Sequence, residues 1–125
     1  MTIFRRSAAR TTPAPPSIAS TGNAGDDALM AQIAARSDLD ESRHWIHYLY
    51  VQDETQARSA AEVISAAGWQ IQRVDVAAGD GPGWVVIAEA HAVTSPAAVR
   101  EARLFFEGVA HTHEGGEYDG WEASL

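Results

Sequence analysis

A strand-like stretch followed by a helix-like stretch occurs twice in this 125-residue chain, with a short Gly/Pro-rich link between the two units. Residues 44–51, His-Trp-Ile-His-Tyr-Leu-Tyr-Val, have the aromatic and β-branched composition of a strand. Alternation puts Trp45, His47, Leu49 and Val51 on one face and His44, Ile46, Tyr48 and Tyr50 on the other. Both sets are large, which predicts a central strand covered at least in part on both sides. Asp53-Glu54-Thr55 then opens a helix through Ala57, Ala60, Ala61, Ile64 and Ala67, and Gly68 stops it. Residues 69–76 are the second strand, with Gln70, Gln72, Val74 and Val76 alternating against Trp69, Ile71 and Arg73. Residues 77–83 form a Gly/Pro/Asp loop and 84–89 a third strand, and the short link predicts a hairpin. Ser95 and Pro96 mark a helix start as N-cap and first-turn residue. Val99, Ala102, Phe106, Val109 and His113 follow at helical spacing until Gly115 and Gly116, and residues 117–123 close the chain as a strand.

The order strand, helix, strand, strand, helix, strand predicts an α/β (α+β) sandwich. It is the split-βαβ, ferredoxin-like arrangement, a four-stranded antiparallel sheet with helices on one face. The first and last strands, the most aromatic, are expected at the centre of the sheet. An extra helix precedes this unit, with Asp26-Asp27 ahead of Ala28, Leu29, Met30, Ile33 and Ala34. Its early acids suit the positive end of the helix dipole. Residues 1–24, with Pro13, Pro15 and Pro16 among Ser, Thr, Ala and Gly, are expected to be a disordered tail, and 25–125 the domain.

Charge narrows the partners. The chain has 9 Lys+Arg against 17 Asp+Glu, a formal net of −8, and every basic residue is arginine. Arg5, Arg6 and Arg10 lie in the acid-free tail, so the remainder sets 6 arginines against 17 acids, a net of −11. Such a surface repels phosphate backbones and attracts cationic proteins, so direct nucleic-acid binding is not expected. The absence of Cys rules out a disulfide framework and fits a cytoplasmic protein. No apolar run reaches 18 residues and no secretory h-region is present, so neither a membrane partner nor a secretion signal is expected.

Five histidines raise the question of a metal. His44 and His47 point to opposite faces of a strand, and His111 and His113 are about 200° apart around a helix. The first pair cannot converge on one ion and the second has poor ligand geometry, and no cofactor or metal is expected. A nucleophile elbow, a phosphate-cradling loop and a dinucleotide fingerprint are all missing, so the chain does not read as an enzyme. His47 is expected to be a core histidine bonded to a neighbour. The competing reading is a small ligand- or metal-binding domain, or an enzyme, using His47 or the pair His111/His113.

The ending is the most specific segment. Gly115 and Gly116 are expected to terminate the last helix, and Asp119-Gly120 is a turn or bulge signal inside the last strand. Tyr118 and Trp121 point to opposite faces unless that bulge occurs. Either can be core, with Glu117, Asp119 and Glu122 solvated. Alternatively, Glu117, Tyr118, Asp119, Trp121, Glu122 and His47 form a surface for an arginine-rich segment, through charge-assisted bonds and cation–π stacking.

The ending Gly-Gly-Glu-Tyr-Asp-Gly-Trp-Glu over 115–122 is very similar to the terminal signature of the RraB family, the regulators of ribonuclease E activity of type B. Residues 45–50 resemble the family's first strand, and residues 60–69 its small-residue helix ending in Gly and an aromatic. The resemblance covers about residues 26–124. It implies an α/β sandwich and an acidic, non-enzymatic protein that binds an arginine-rich region of a ribonuclease E-type endoribonuclease and modulates RNA cleavage. The tail of residues 1–24 and the absence of lysine depart from the family pattern.

Overall fold

The computed structural model describes residues 20–79 and 83–125. Most of the expected tail and the middle of the Gly/Pro loop lie outside the described residues. The elements are α1 (Ala24–Ala34), β1 (Ser42–Val51), α2 (Glu54–Ala66), β2 (Gln70–Val76), β3 (Trp84–Val93), α3 (Pro96–His111) and β4 (Glu117–Ala123).

Each helix starts where a side chain can take an orphan backbone N–H. The carboxylate of Asp53 accepts from Gln56 N at 2.8 Å, and Ser95 Oγ accepts from Ala98 N at 3.1 Å. At α1 the cap is Asn23, whose Oδ1 accepts from Asp26 N at 2.9 Å, so the helix begins before the two aspartates. Glycines at positive φ follow the C-termini of α2 (Gly68, φ 103°) and α3 (Gly115, φ 76°). Helix α3 ends at His111, short of His113. The last turn is closed by Gly116 N donating to His113 O at 2.9 Å.

The four strands form one antiparallel sheet in the order β2-β3-β1-β4. The central strands are therefore β1 and β3, not β1 and the last strand. The cause is geometric. The β1-α2-β2 crossover leaves one strand's width, filled by β3, and the β3-α3-β4 crossover leaves another, filled by β1. Strand β4 is thus pushed to the edge. Its aromatics serve the helix layer beneath it and not flanking strands.

Two irregularities decide which side chains go inside. In β2 the register slips between Ile71 and Arg73, so Ile71 and Val74 share the inner face and the simple alternation expected there is broken. In β4 the register slips opposite Tyr48/Leu49, leaving Asp119 as an extra residue and Gly120 at φ 101°. Tyr118 and Trp121 then both turn toward the helices.

One core results. It joins Leu29, Met30 and Ile33 of α1, Trp45, Leu49 and Val51 of β1, Ala57, Ala60 and Ile64 of α2, Val99, Phe106 and Val109 of α3, and Trp121 of β4. All three helices thus pack on the same side of the sheet. The other side carries Ile46, Tyr48, Tyr50, Val85 and Ile87, and among the described residues no helix lies over it, so β1, expected to be covered at least in part on both sides, carries described helices on one.

Gly120 is the test of the bulge. A Cβ there would meet nothing within 4 Å, so its cost is backbone strain alone. Gly120→Ala is expected to destabilise by about 1–2 kcal/mol, measured as a lower urea midpoint at unchanged slope.

Candidate functional site

The conspicuous residues of the ending divide between two places. Tyr118 and Trp121, with His47, enter a buried polar network. Glu117 and Glu122 stand on the open face of the sheet.

The buried network centres on Asp26, which is 2% exposed. Its Oδ1 accepts from Trp121 Nε1 at 2.9 Å and from Arg103 Nη2 at 2.9 Å, while Oδ2 accepts from Arg103 Nε at 2.6 Å. This bidentate fork is the strong form of a guanidinium–carboxylate pair. Arg103 also reaches Glu107 at 3.1 Å and lies 5.1 Å from the centre of the Tyr118 ring. Tyr118 Oη and His47 Nδ1 are 2.7 Å apart. The His47 ring stacks on Phe106, with centroids 4.3 Å apart and planes 17° off parallel. Trp45 and Trp69 close around it at 4.8 and 4.6 Å.

Burial, and secondarily the charge of Arg103, lower the His47 imidazole from its ordinary value to about 3. His47 is thus neutral at physiological pH. Burial raises the Tyr118 phenol, which stays protonated and available as a hydrogen-bond partner. His47 Nε2 and Trp45 Nε1 have no hydrogen-bond partner among the described residues. The network can hold α1, α3 and β4 to the sheet. Its groups are not open to a ligand, because His47 is 1% and Trp121 6% exposed. These two candidates for a partner surface, and half-buried Tyr118, are therefore interior residues.

The open face is built by cross-strand pairing. Ile46 of β1 is flanked by Glu89 of β3 and Glu122 of β4. Tyr48 is flanked by Ile87 and Gly120, and Tyr50 by Val85 and Glu117. On the far side, Arg73 pairs with Ile87 and Asp75 with Val85. Four carboxylates and one arginine thus surround a strip of Ile46, Tyr48, Tyr50 and Ile87 that takes no part in the core. Glu122 accepts a short hydrogen bond from Tyr48 Oη, which, helped by partial burial, raises that phenol to about 12. His44 Nε2 is 3.1 Å from Glu89 Oε1, and its ring stacks on His91 at 5.0 Å. Asp119 is exposed at the bulge beside this face.

The glycines have separate tasks. Gly115 and Gly120 supply positive φ. A Cβ on Gly116 would sit 2.6 Å from Ala110 O, so that position tolerates no side chain as placed. His111 and His113 lie at the end of α3, and among the described residues no three His, Asp or Glu side chains are grouped to hold a metal ion. Among the described residues, no helix is long and apolar enough to cross a membrane.

Asp26 and Arg103 are the residues that sequence reasoning missed. Arg103 falls between Val99 and Phe106 on the apolar stripe of α3, and a buried arginine calls for an acid. That signal was present. Its partner, 77 positions away, was not identifiable from local pattern.

Fold and side-chain arrangement define a small α+β domain of the split-βαβ kind, with a polar network under the sheet and an acidic, aromatic face above it. The family model described as regulator of ribonuclease activity B matches residues 23–123, from the cap of α1 to the end of β4, and the chain belongs to the RraB family. No protein of curated function matches the chain.

Two outcomes test the network. Asp26→Ala leaves Arg103 facing the core without its carboxylate. Because the Arg103 side chain keeps 21% of its surface exposed, the expected loss is about 3 kcal/mol, the lower end for a broken buried pair, read from urea unfolding. The depressed His47 pKa also couples stability to pH. Between about 3 and the ordinary 6.5 the unfolded chain binds a proton that the folded chain refuses. The contribution of neutral His47 is complete above 6.5 and is lost as pH falls toward 3, at up to about 1.4 kcal/mol per pH unit. His47→Gln is expected to flatten the slope of stability against pH between 6.5 and 4.5 by that amount. An unchanged slope in paired unfolding series contradicts a neutral buried His47.

Proposed function

We propose that this chain is a non-catalytic regulator that binds an arginine-rich region of an endoribonuclease through the open sheet face and thereby modulates RNA cleavage. Membership in a family of ribonuclease regulators supports the class of action. The observation that carries the binding surface is the row Glu89–Ile46–Glu122 beside Tyr48 and Tyr50. Neighbouring strands are about 4.8 Å apart, so the two carboxylates bracket an apolar residue across about 10 Å. A guanidinium can donate a fork of hydrogen bonds to either carboxylate and lay its plane on a tyrosine ring, and an arginine's methylene stem fits the apolar strip. A phosphate backbone meets four carboxylates against one arginine there, a net like charge. Regulation in the cytoplasm, where such an enzyme and its RNA substrates meet, follows from this reading.

The experiment is a titration of the full chain against the host endoribonuclease's arginine-rich region at increasing salt. Affinity is expected to fall steadily as salt screens the face. The triple variant Glu89→Gln, Glu117→Gln, Glu122→Gln alters only face residues and is expected to bind about tenfold more weakly, about 1.4 kcal/mol, with an unshifted melting curve. Equal affinity of variant and parent at low salt sinks the proposal.

A further inference from the structure

The chain carries an arginine-rich segment of its own. Arg5, Arg6 and Arg10 stand in residues 1–19, which contain no acid. The point where this segment meets the described chain is pinned. Ser20 Oγ donates to Asp27 at 2.9 Å, and Thr21 N and Oγ1 both donate to Asp27 at 2.7 Å. These two Thr21 bonds hold the Asp27 carboxyl below its ordinary range. The carbonyls of Ser20 and Thr21 accept from Arg100 at 3.0 and 3.3 Å. Arg100 lies one turn into α3, which follows β3 through Thr94 and Ser95 alone. The last residue of β3, Val93, pairs with Ser42 at the start of β1. The segment therefore joins the domain in the helix layer, at the end of the sheet that bears His44 and His91, and must pass that end to reach the half of the open face that bears Glu89 and Glu122.

Reach is sufficient. Arg10 is ten residues before Ser20 and Arg5 fifteen; at about 3.5 Å per residue they extend to about 35 and 50 Å. A 100-residue domain has a radius of gyration of about 13 Å. Charge is complementary: three arginines in the segment, four carboxylates and one arginine on the face. We infer that residues 1–19 dock on the chain's own open sheet face, with their arginines on the Glu89–Ile46–Glu122 row, and compete there with an external arginine-rich segment. The competition rests on the proposed function, because it needs the same face to be the binding surface. Exposed ion pairs are individually weak and salt-screened, so the docked segment lowers the apparent affinity for a partner and does not block it.

The chain has no cysteine, so Thr11→Cys provides a single spin-label position in the 125-residue chain. The methyl groups of Ile46 and Ile87 report the open face, and those of Val63 and Leu104, exposed on α2 and α3, report the helix side. At low salt the label is expected to broaden Ile46 and Ile87 selectively. The broadening is expected to vanish at about 0.5 M salt and in the Arg5→Ser, Arg6→Ser, Arg10→Ser background. That triple variant is further expected to bind a hexa-arginine peptide about threefold more tightly than the parent. Broadening of Val63 and Leu104, or of none of the four, overturns self-docking. If hexa-arginine still binds in that case, the proposed function stands without it. Selective broadening of Ile46 and Ile87 with equal hexa-arginine affinity in both proteins overturns the competition. Hexa-arginine binding to neither protein removes the proposed function, while the label pattern still decides self-docking.

Discussion

The carboxylate of Asp26 is the point on which the helix layer depends. It lies in the first turn of α1, yet its hydrogen bonds run to α3 through Arg103 and to β4 through Trp121. Three elements distant in sequence are thereby fixed by one buried group. A buried ion pair adds little net stability over an apolar replacement, but removing one partner is costly. Its value is positional. The fork on Arg103 fixes that side chain across the Tyr118 ring, Tyr118 meets His47, and His47 stacks on Phe106. A run of polar contacts thus lies within an aromatic core, and each side chain is aligned by its neighbour.

This internal use of Tyr118, Trp121 and His47 determines what is left for the surface. The β4 bulge at Gly120 brings both aromatics to the helix side, so the motif-bearing strand shows its carboxylates on the other. The proposed binding surface and the signature segment therefore share only Glu117 and Glu122. The signature residues hold the strand in register. The strip that a partner can touch is drawn from β1 and β3 as well, in Ile46, Tyr48, Tyr50, Ile87 and Glu89.

Much of the fold was legible because local chemistry and long-range order agreed. Ser95, Asp53, Gly68 and the strand-helix sequence all appear where their residue types indicate. Three features were not legible, each for a physical reason. Which strands are central depends on how two crossovers interleave, which no local pattern records. The inward turn of Tyr118 together with Trp121 depends on a bulge. The chain permits that bulge with Gly120 but does not compel it. The pairing of Asp26 with Arg103 spans most of the domain, and an aspartate at a helix start already has a sufficient local explanation in the dipole. The alternation of β1 did separate His44 from His47 and Tyr48 from Leu49 correctly. What it lacked was which of the two faces the helices cover.

The acidity of the surface follows from how the arginines are employed. Of the six beyond residue 24, Arg103 serves Asp26, Arg43 serves the carbonyls of Ser124 and Asp38, Arg100 serves those of Ser20 and Thr21, and Arg58 pairs with Glu54 on α2. Two of these four neutralise backbone dipoles and not carboxylates. The charge excess of the domain is therefore not cancelled by its own cations, and part of it falls on the open sheet face, in Asp75, Glu89, Glu117 and Glu122. Self-repulsion of that kind opposes folding. Core packing and the Asp26 network offset it in this domain. A sheet face kept acidic against that cost, with tyrosines between its carboxylates, is electrostatically suited to a cationic chain and repels a polyanion.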